Sequence, residues 1–398
     1  MYLEKLALHN FRNFTHVEQI VLPKSGLLIA AAPNATGKTN FLESIVMLLR
    51  GKSFRAGHAE CVQWGEDGFV VRGVVHRQAG TLTTAVHYHQ PTQKVRIEEG
   101  GEPVSPVMFY QHYPMVTFLP EDTFLFTRGP AVRRNFLNRA LVSVPAYVSA
   151  LVQYQRSLKQ RNANLKTAAS FADLAAWTDV LVEHAESLWQ HRRSLATFIS
   201  THLPELYQRI TGEELLLVIE LVTSTESAGE LAENLANSFP HESRYGYTLQ
   251  GPHRDDLTVT VDDRPVADFL SQGQQRSLVI ALKLCAHSYI KKTINETPLF
   301  IADELLSELD EQRQEILLAN LPTATQTILT TTSVPAIVKK RADAHLLDLR
   351  SILAAAEEPD DDFDDDDVDV DEHDTDTGDE EPIVAEEPVA EGAPAATA

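Results

Sequence analysis

A glycine followed by a lysine and a threonine, Gly37-Lys38-Thr39, supplies the residue types best suited to hold a phosphate chain and a divalent cation. The triplet lies within Ala32-Pro33-Asn34-Ala35-Thr36-Gly37-Lys38-Thr39-Asn40, after the apolar run Leu27 to Ala31 and before an amphipathic segment, Phe41 to Leu49, that stops at Gly51. Strand, loop and helix in that order give the context in which Gly-Lys-Thr works as a P-loop. Backbone N–H groups from Asn34 to Asn40 and the positive end of the helix would wrap the phosphates. Lys38 would reach the terminal phosphates, and the Thr39 hydroxyl would take one position on Mg²⁺. Ala32 stands where the full pattern has glycine, a residue used for unusual φ or close backbone approach.

Two further stretches extend this chemistry. Asp303-Glu304 directly follows the apolar strand candidate Leu299 to Ala302. An aspartate at such a strand end can hold Mg²⁺, and the adjacent Glu304 can act as the base that orients an attacking water. On its own the pair would read as an acidic helix start favoured by the macrodipole. Leu270-Ser271-Gln272-Gly273-Gln274-Gln275-Arg276-Ser277 places Ser, Gly and Gln at the head of a helix, a second N-terminus able to bind an anion.

The elements that must position these residues follow from periodicity. Leu3, Leu6 and Leu8, then Val17, Ile20 and Leu22, predict a hairpin feeding the P-loop strand. Phe69 to Val75, Thr81 to Val86 and Lys94 to Ile97 predict a β-meander, so residues 1–129 read as the first part of an α/β head. Across 130–240 the apolar spacing becomes three and four, which predicts a helical arm inserted into the head, with Pro145 and Pro204 as breaks. Residues 241–350 return to the head, with Leu257 to Val261, Leu299 to Ala302, Gln326 to Thr330 and Leu346 to Leu349 as strands and a helix from about Gln275 to Thr293.

The formal charge of −23 is misleading. From Glu357 onward the chain is rich in Asp and Glu with no Lys or Arg, and without that stretch the net charge is only about −3. Residues 351–398 are too poor in apolar side chains to fold alone and read as a disordered acidic tail, a solubility segment or a competitor for a basic face. No apolar run approaches the roughly 20 residues of a membrane span, and the start lacks a signal-peptide layout, so a cytoplasmic protein is expected. Cys61 and Cys285 have no metal-ligand spacing and read as buried packing residues.

The Ser271 to Ser277 segment resembles the signature motif of ABC-type ATPases, and Ser-Gln-Gly-Gln-Gln-Arg before an apolar helix resembles the RecF family of DNA-repair ATPases. Ser307-Glu308-Leu309-Asp310, at the position of a D-loop, is similar to the same family. So are Leu8-His9-Asn10-Phe11-Arg12-Asn13-Phe14, Pro120-Glu121-Asp122 with Gly129-Pro130 and Arg133-Arg134, Tyr154 with Gln160-Arg161-Asn162, and Gly251-Pro252-His253-Arg254-Asp255-Asp256. The resemblance runs in order from Met1 to about Leu349. It implies an ABC-type head split by a helical lobe, ATP and Mg²⁺ as ligands, and a homodimer that closes on ATP. It further implies slow hydrolysis, binding to gapped or junction DNA, and work with RecR and RecO to help RecA onto single strands. Carried over, Asn34, Gly37, Lys38 and Thr39 bind phosphate and metal, Asp303 holds the metal, and Glu304 is the base. Ser271, Gly273 and Gln274 act across the dimer, with Asp310 at the D-loop. The acidic tail departs from the family.

For DNA the basic clusters are Lys52 and Arg55 after the P-loop helix, Arg133 with Arg134, and Arg156, Lys159 and Arg161 with Lys166 on an arm helix. These suit sequence-independent backbone contacts, against the alternative of a solvated helix face. His253 has no ligand set around it and reads as structural. Two rivals stand: another SMC-like or transporter-type ABC ATPase, and a nucleotide-gated scaffold that binds ATP without hydrolysing it.

Overall fold

The computed structural model describes residues 1–355 apart from 308, 310 and 323, so Asp310 and the acidic tail from 356 on lie outside the described residues. Residues 351–355, expected in that tail, belong instead to a short helix, Leu349–Ala355, whose Ile352 and Leu353 pack against the head. Five parallel strands form the centre of the head, in the spatial order Ala344–Asp348, Gly26–Ala31, Gln326–Thr331, Leu299–Ala302 and Met115–Phe118. The near-continuous apolar sequences of Gly26–Ala31 and Leu299–Ala302 suit strands covered on both faces. Alternation sends the two sides of each strand into different cores. Leu28, Ala30 and Ile301 join Phe41, Leu42 and Ile45 of the P-loop helix (Lys38–Arg50) on one side. Leu27, Ile29, Phe300 and Ala302 join the signature helix (Gln272–Ile294) and the arm on the other.

A six-stranded antiparallel sheet closes the first core. The predicted hairpin forms from Tyr2–Phe11 and Phe14–Val21, and the meander continues through Gly68–Arg77, Gly80–His89 and Lys94–Glu99 to the short strand Glu102–Pro103. The P-loop helix therefore lies between two sheets, buried along most of its length.

The arm departs from the all-helical expectation for 130–240. Helices Pro130–Leu141 and Pro145–Leu165 lead to a 37-residue helix, Ala175–Thr211, which runs through Pro204 without ending there. Leu195, Ile199, Leu203, Leu206 and Ile210 form one buried stripe across that proline. Burial of this stripe offsets the roughly 3 kcal/mol that an interior proline costs. Leu217–Val222 is a strand, not a helix. Leu217, Ile219 and Leu221 alternate inward, and the strand pairs antiparallel with Asp256–Val261, which in turn pairs with Arg264–Pro265. A further helix, Ala228–Tyr245, contains Pro240.

The junction of arm and head is a saturated polar core. Asp255 accepts from Arg192 at 2.7 Å and from the Trp189 indole at 3.1 Å, while Arg192 also donates to the Pro252 carbonyl and to Asn138. His253 Nδ1 takes the Tyr154 hydroxyl at 2.6 Å and its Nε2 donates to the Thr248 carbonyl. Gly251, at φ +123°, could not carry a Cβ there, because the Tyr154 hydroxyl would sit 2.6 Å from it. The Gly251–Asp256 stretch thus packs this junction, and the Asp122 carboxylate holds buried Lys283 of the signature helix at 2.8 Å.

Candidate functional site

The P-loop helix begins where the chain must turn left-handed. Gly37 has φ +100°, and a Cβ there would meet the Asn13 side chain at 2.6 Å. Ala35 is also left-handed, at φ +64°. Ala32 is not among the described positive-φ residues; it is buried and donates its N–H to the Thr331 carbonyl. The backbone at the position where the motif lacks its first glycine is therefore one that alanine adopts without φ strain. The demand for a left-handed backbone falls on Ala35 and Gly37.

Lys38 is only 5% exposed, yet it is loosely held. Its ammonium donates to the Pro33 carbonyl at 3.1 Å and to Asn34 Oδ1 at 3.3 Å, and Glu304 lies 3.7 Å away. The Thr39 hydroxyl donates to Asp303 Oδ2 at 2.7 Å, leaving its oxygen lone pairs for a metal. The hairpin turn supports this loop: Asn40 donates to Asn13, which donates to the Thr36 carbonyl. Beneath it Glu43, fully buried, accepts from Arg12, Arg55 and Ser53. Burial alone would push the Glu43 carboxyl up, but the hydrogen bonds from these partners outweigh it and hold its pKa below the ordinary range.

Asp303 ends its strand almost fully buried, with its backbone N–H on the Phe118 carbonyl. Glu304 follows in a left-handed conformation, φ +49°, with its side chain 38% exposed. Thr330, on the neighbouring strand, was missed by sequence reasoning. Its hydroxyl donates to Asp303 Oδ1 and accepts the Glu304 N–H at 3.1 Å. Nothing in Gln326-Thr327-Ile328-Leu329-Thr330 marks it; only the register beside Leu299–Ala302 does. Arg276 ties the same corner to the signature helix, donating to the Glu304 carbonyl and to Ser307.

These groups fit a magnesium nucleotide. A buried ammonium with weak partners, a tight glycine turn at a helix N-terminus, a hydroxyl with free lone pairs and two carboxylates meet at the C-terminal ends of the interior strands. Ser271 and Gln274 form a reciprocal capping box, and Gln274 also donates to Glu213 just past the long arm helix at 2.7 Å. Ser271 is exposed and Gly273 partly so.

The basic residues divide. Arg161 is corrected as a surface candidate: it is fully buried against Glu242 at 2.6 Å and also donates to Thr248 and Thr178. At 100° per residue it points about 160° away from Lys159. Arg133 is engaged by Asp256 through two bonds, and Arg134 donates to the Asp255 carbonyl. Arg156 and Lys159 are exposed, Lys52 lies over the Tyr110 ring, and exposed Arg55 is braced by Asn40 and Glu43.

A parallel sheet carrying a P-loop beside an acidic strand end, capped by an antiparallel sheet, defines an ABC-type ATPase head. The head domain of Smc from Pyrococcus furiosus has the same fold, with TM-score 0.52 at 14% identity over 89% of this chain and 91% of that one. No protein-family model matches the chain. It is 35% identical to the DNA replication and repair protein RecF of Trichlorobacter lovleyi over 343 residues, 84% of this chain and 92% of that one. It is 34% identical to RecF of Moorella thermoacetica, covering 87% and 94%. A solved structure of the recombination mediator RecF with ATP, from the RecFOR pathway, superposes with TM-score 0.76 at 26% identity over 84% and 93%. The chain belongs to the RecF family of DNA replication and repair proteins.

Among the described residues no helix is long and apolar enough to cross a membrane. Both cysteines are buried free thiols.

Proposed function

We propose that the chain is a cytoplasmic, ATP-dependent recombination mediator that closes as a homodimer on gapped or junction DNA and works with RecR and RecO to help load RecA. The observation that carries this reading is a half-built nucleotide site. Lys38, Thr39, Asp303 and Glu304 meet beyond the C-terminal ends of the interior strands, while the signature residues Ser271, Gly273 and Gln274 stand at a separate helix start. A second copy would bring its signature to the first copy's phosphates. ATP then favours the dimer by linkage, because only the dimer provides both sets of contacts.

Thr39 and Asp303 would hold the Mg²⁺, which neutralises phosphate charge when bound. Lys38 binds the terminal phosphates, and Glu304, half-exposed beside it, orients and deprotonates water. Asp310 would complete the partner's side. Lys52, Arg55, Arg156 and Lys159 would contact the DNA backbone.

Light scattering on Glu304→Gln, with and without ATP, tests the clamp. The expected result is an ATP-dependent dimer lost when Lys38→Ala is added; a monomer with and without ATP and gapped DNA would overturn it. The rival scaffold binds ATP without hydrolysis. ATP turnover stimulated by gapped DNA and abolished by Glu304→Gln would exclude that rival, and absence of turnover would establish it.

A further inference from the structure

We infer that Thr330 is a positioning residue of the ATP site, which sets the geometry of both acidic residues through one hydroxyl. This rests on the reading that the site takes magnesium ATP. Thr330 is fully buried on the strand Gln326–Thr331, which is parallel to Leu299–Ala302, and pairing of Ala302 with Leu329 leaves Thr330 level with Asp303. A hydroxyl offers one donor and two acceptor lone pairs, and both capacities are used. The donor goes to Asp303 Oδ1, and a lone pair takes the Glu304 N–H at 3.1 Å.

The consequences for the two acids differ. Asp303 has one oxygen on Thr330 and the other on Thr39 at 2.7 Å, so its carboxylate plane is fixed between two strands and the P-loop helix. Rotation that would carry the carboxylate away from the Thr39 oxygen breaks one bond or the other. Glu304 is held at φ +49°, a conformation that non-glycine residues adopt only when their surroundings impose it. Its N–H is pinned by Thr330 and its carbonyl by Arg276 at 2.8 Å. The side chain is thereby aimed to within 3.7 Å of the Lys38 ammonium, where the terminal phosphate would lie. A valine would fill the same volume with neither hydrogen bond; serine would keep both.

The test compares wild type, Thr330→Val and Thr330→Ser by affinity for a fluorescent ATP analogue, titrated with Mg²⁺ and measured also in EDTA, and by steady-state ATP turnover. Partners that orient metal ligands are worth about 10- to 100-fold in affinity or activity. Thr330→Val is expected to weaken the Mg²⁺-dependent gain in affinity by that order and to lower kcat comparably. Affinity in EDTA, which depends on Lys38 and the loop, should stay within about threefold. Thr330→Ser should restore the Mg²⁺ response. A Thr330→Val protein with a wild-type Mg²⁺ titration, or one whose affinity falls equally in EDTA, overturns the inference, as does a serine variant no better than valine. If the wild type shows no turnover, the ATPase reading fails by itself and the Mg²⁺ titration still decides the role of Thr330. Should Thr330→Val not fold, Thr330→Ala against Thr330→Ser is judged by the same criteria.

Discussion

The nucleotide site and the arm–head junction are built from the same materials, a cation against carboxylates, and they treat them in opposite ways. At the junction Arg192 meets Asp255 at 2.7 Å and Arg161 meets Glu242 at 2.6 Å, with all four side chains buried and further donors or acceptors filled by Trp189, Asn138, Thr248 and backbone. At the nucleotide site Lys38 has two contacts beyond 3 Å and a carboxylate at 3.7 Å that is partly open to solvent. Saturated charges hold lobes together. A buried charge left with long, weak partners is prepared for a ligand to complete it.

The largest effect that would break this comparison lies at the junction. Arg192→Met and Arg161→Met each strand a buried carboxylate, and loss of one partner of such a pair costs about 3–5 kcal/mol. Denaturant unfolding should show that loss for either variant. A change below about 1 kcal/mol would mean that the junction tolerates an unpaired acid and is not what fixes the arm.

Acid should act next, at the junction and within the head. Burial lowers the pKa of His253 to about 4, and burial likewise brings His287, which donates to the Pro298 carbonyl, to about 4. Both are neutral in the fold, whereas an unfolded histidine takes up a proton near pH 6.5. Their contribution is therefore complete above about pH 6.5 and is lost as pH falls toward 4, by roughly 2–3 kcal/mol each. The thermal midpoint should drop through that window. Replacing His253 with Gln should flatten part of the slope, and an unchanged slope would remove His253 from the account.

At the nucleotide site the expectation reverses. Lys38→Ala should change unfolding by less than about 1 kcal/mol, since the lost contacts are weak. It should nevertheless abolish ATP-induced stabilisation, which for wild type at a hundred times Kd is about 2.7 kcal/mol. Thermal shift with and without ATP measures both. A large loss of intrinsic stability would place Lys38 with the junction residues.

The sequence exposed the chemistry of the head better than that of the arm, for a physical reason. Gly37-Lys38-Thr39 and Asp303-Glu304 are local patterns whose strand-loop-helix surroundings can be read within a few residues. Strand alternation likewise announced the hairpin and meander. Arg161 failed because helical spacing says which residues share a face without saying which face is covered; that was decided by Glu242, 81 residues away. Pro204 failed as a stop because its neighbours Leu203 and Leu206 continue a buried stripe. Leu217–Val222 was missed since its pairing partner, Asp256–Val261, lies beyond an intervening helix. Thr330 carries no motif at all and acquires its role from sheet register.

The smallest effect sharpens the comparison inside the P-loop itself, at Ala35 against Ala32. The full sequence pattern wants glycine at 32, but the left-handed residue is Ala35, at φ +64°. An alanine in that region carries about 1–2 kcal/mol of steric cost. Ala35→Gly relieves it, and the greater freedom of glycine in the unfolded chain takes back about 0.4–1 kcal/mol. The net expectation is a gain of about 0.5–1 kcal/mol. Ala32→Gly has no such strain to release and removes a buried methyl, so it should lose about 0.5–1 kcal/mol. Denaturant midpoints of the two variants should therefore move in opposite directions. Movement the same way would show that the loop is not held in its ATP-ready form before nucleotide arrives, and the weak partners of Lys38 would then reflect a loop still to be ordered instead of a site awaiting phosphate.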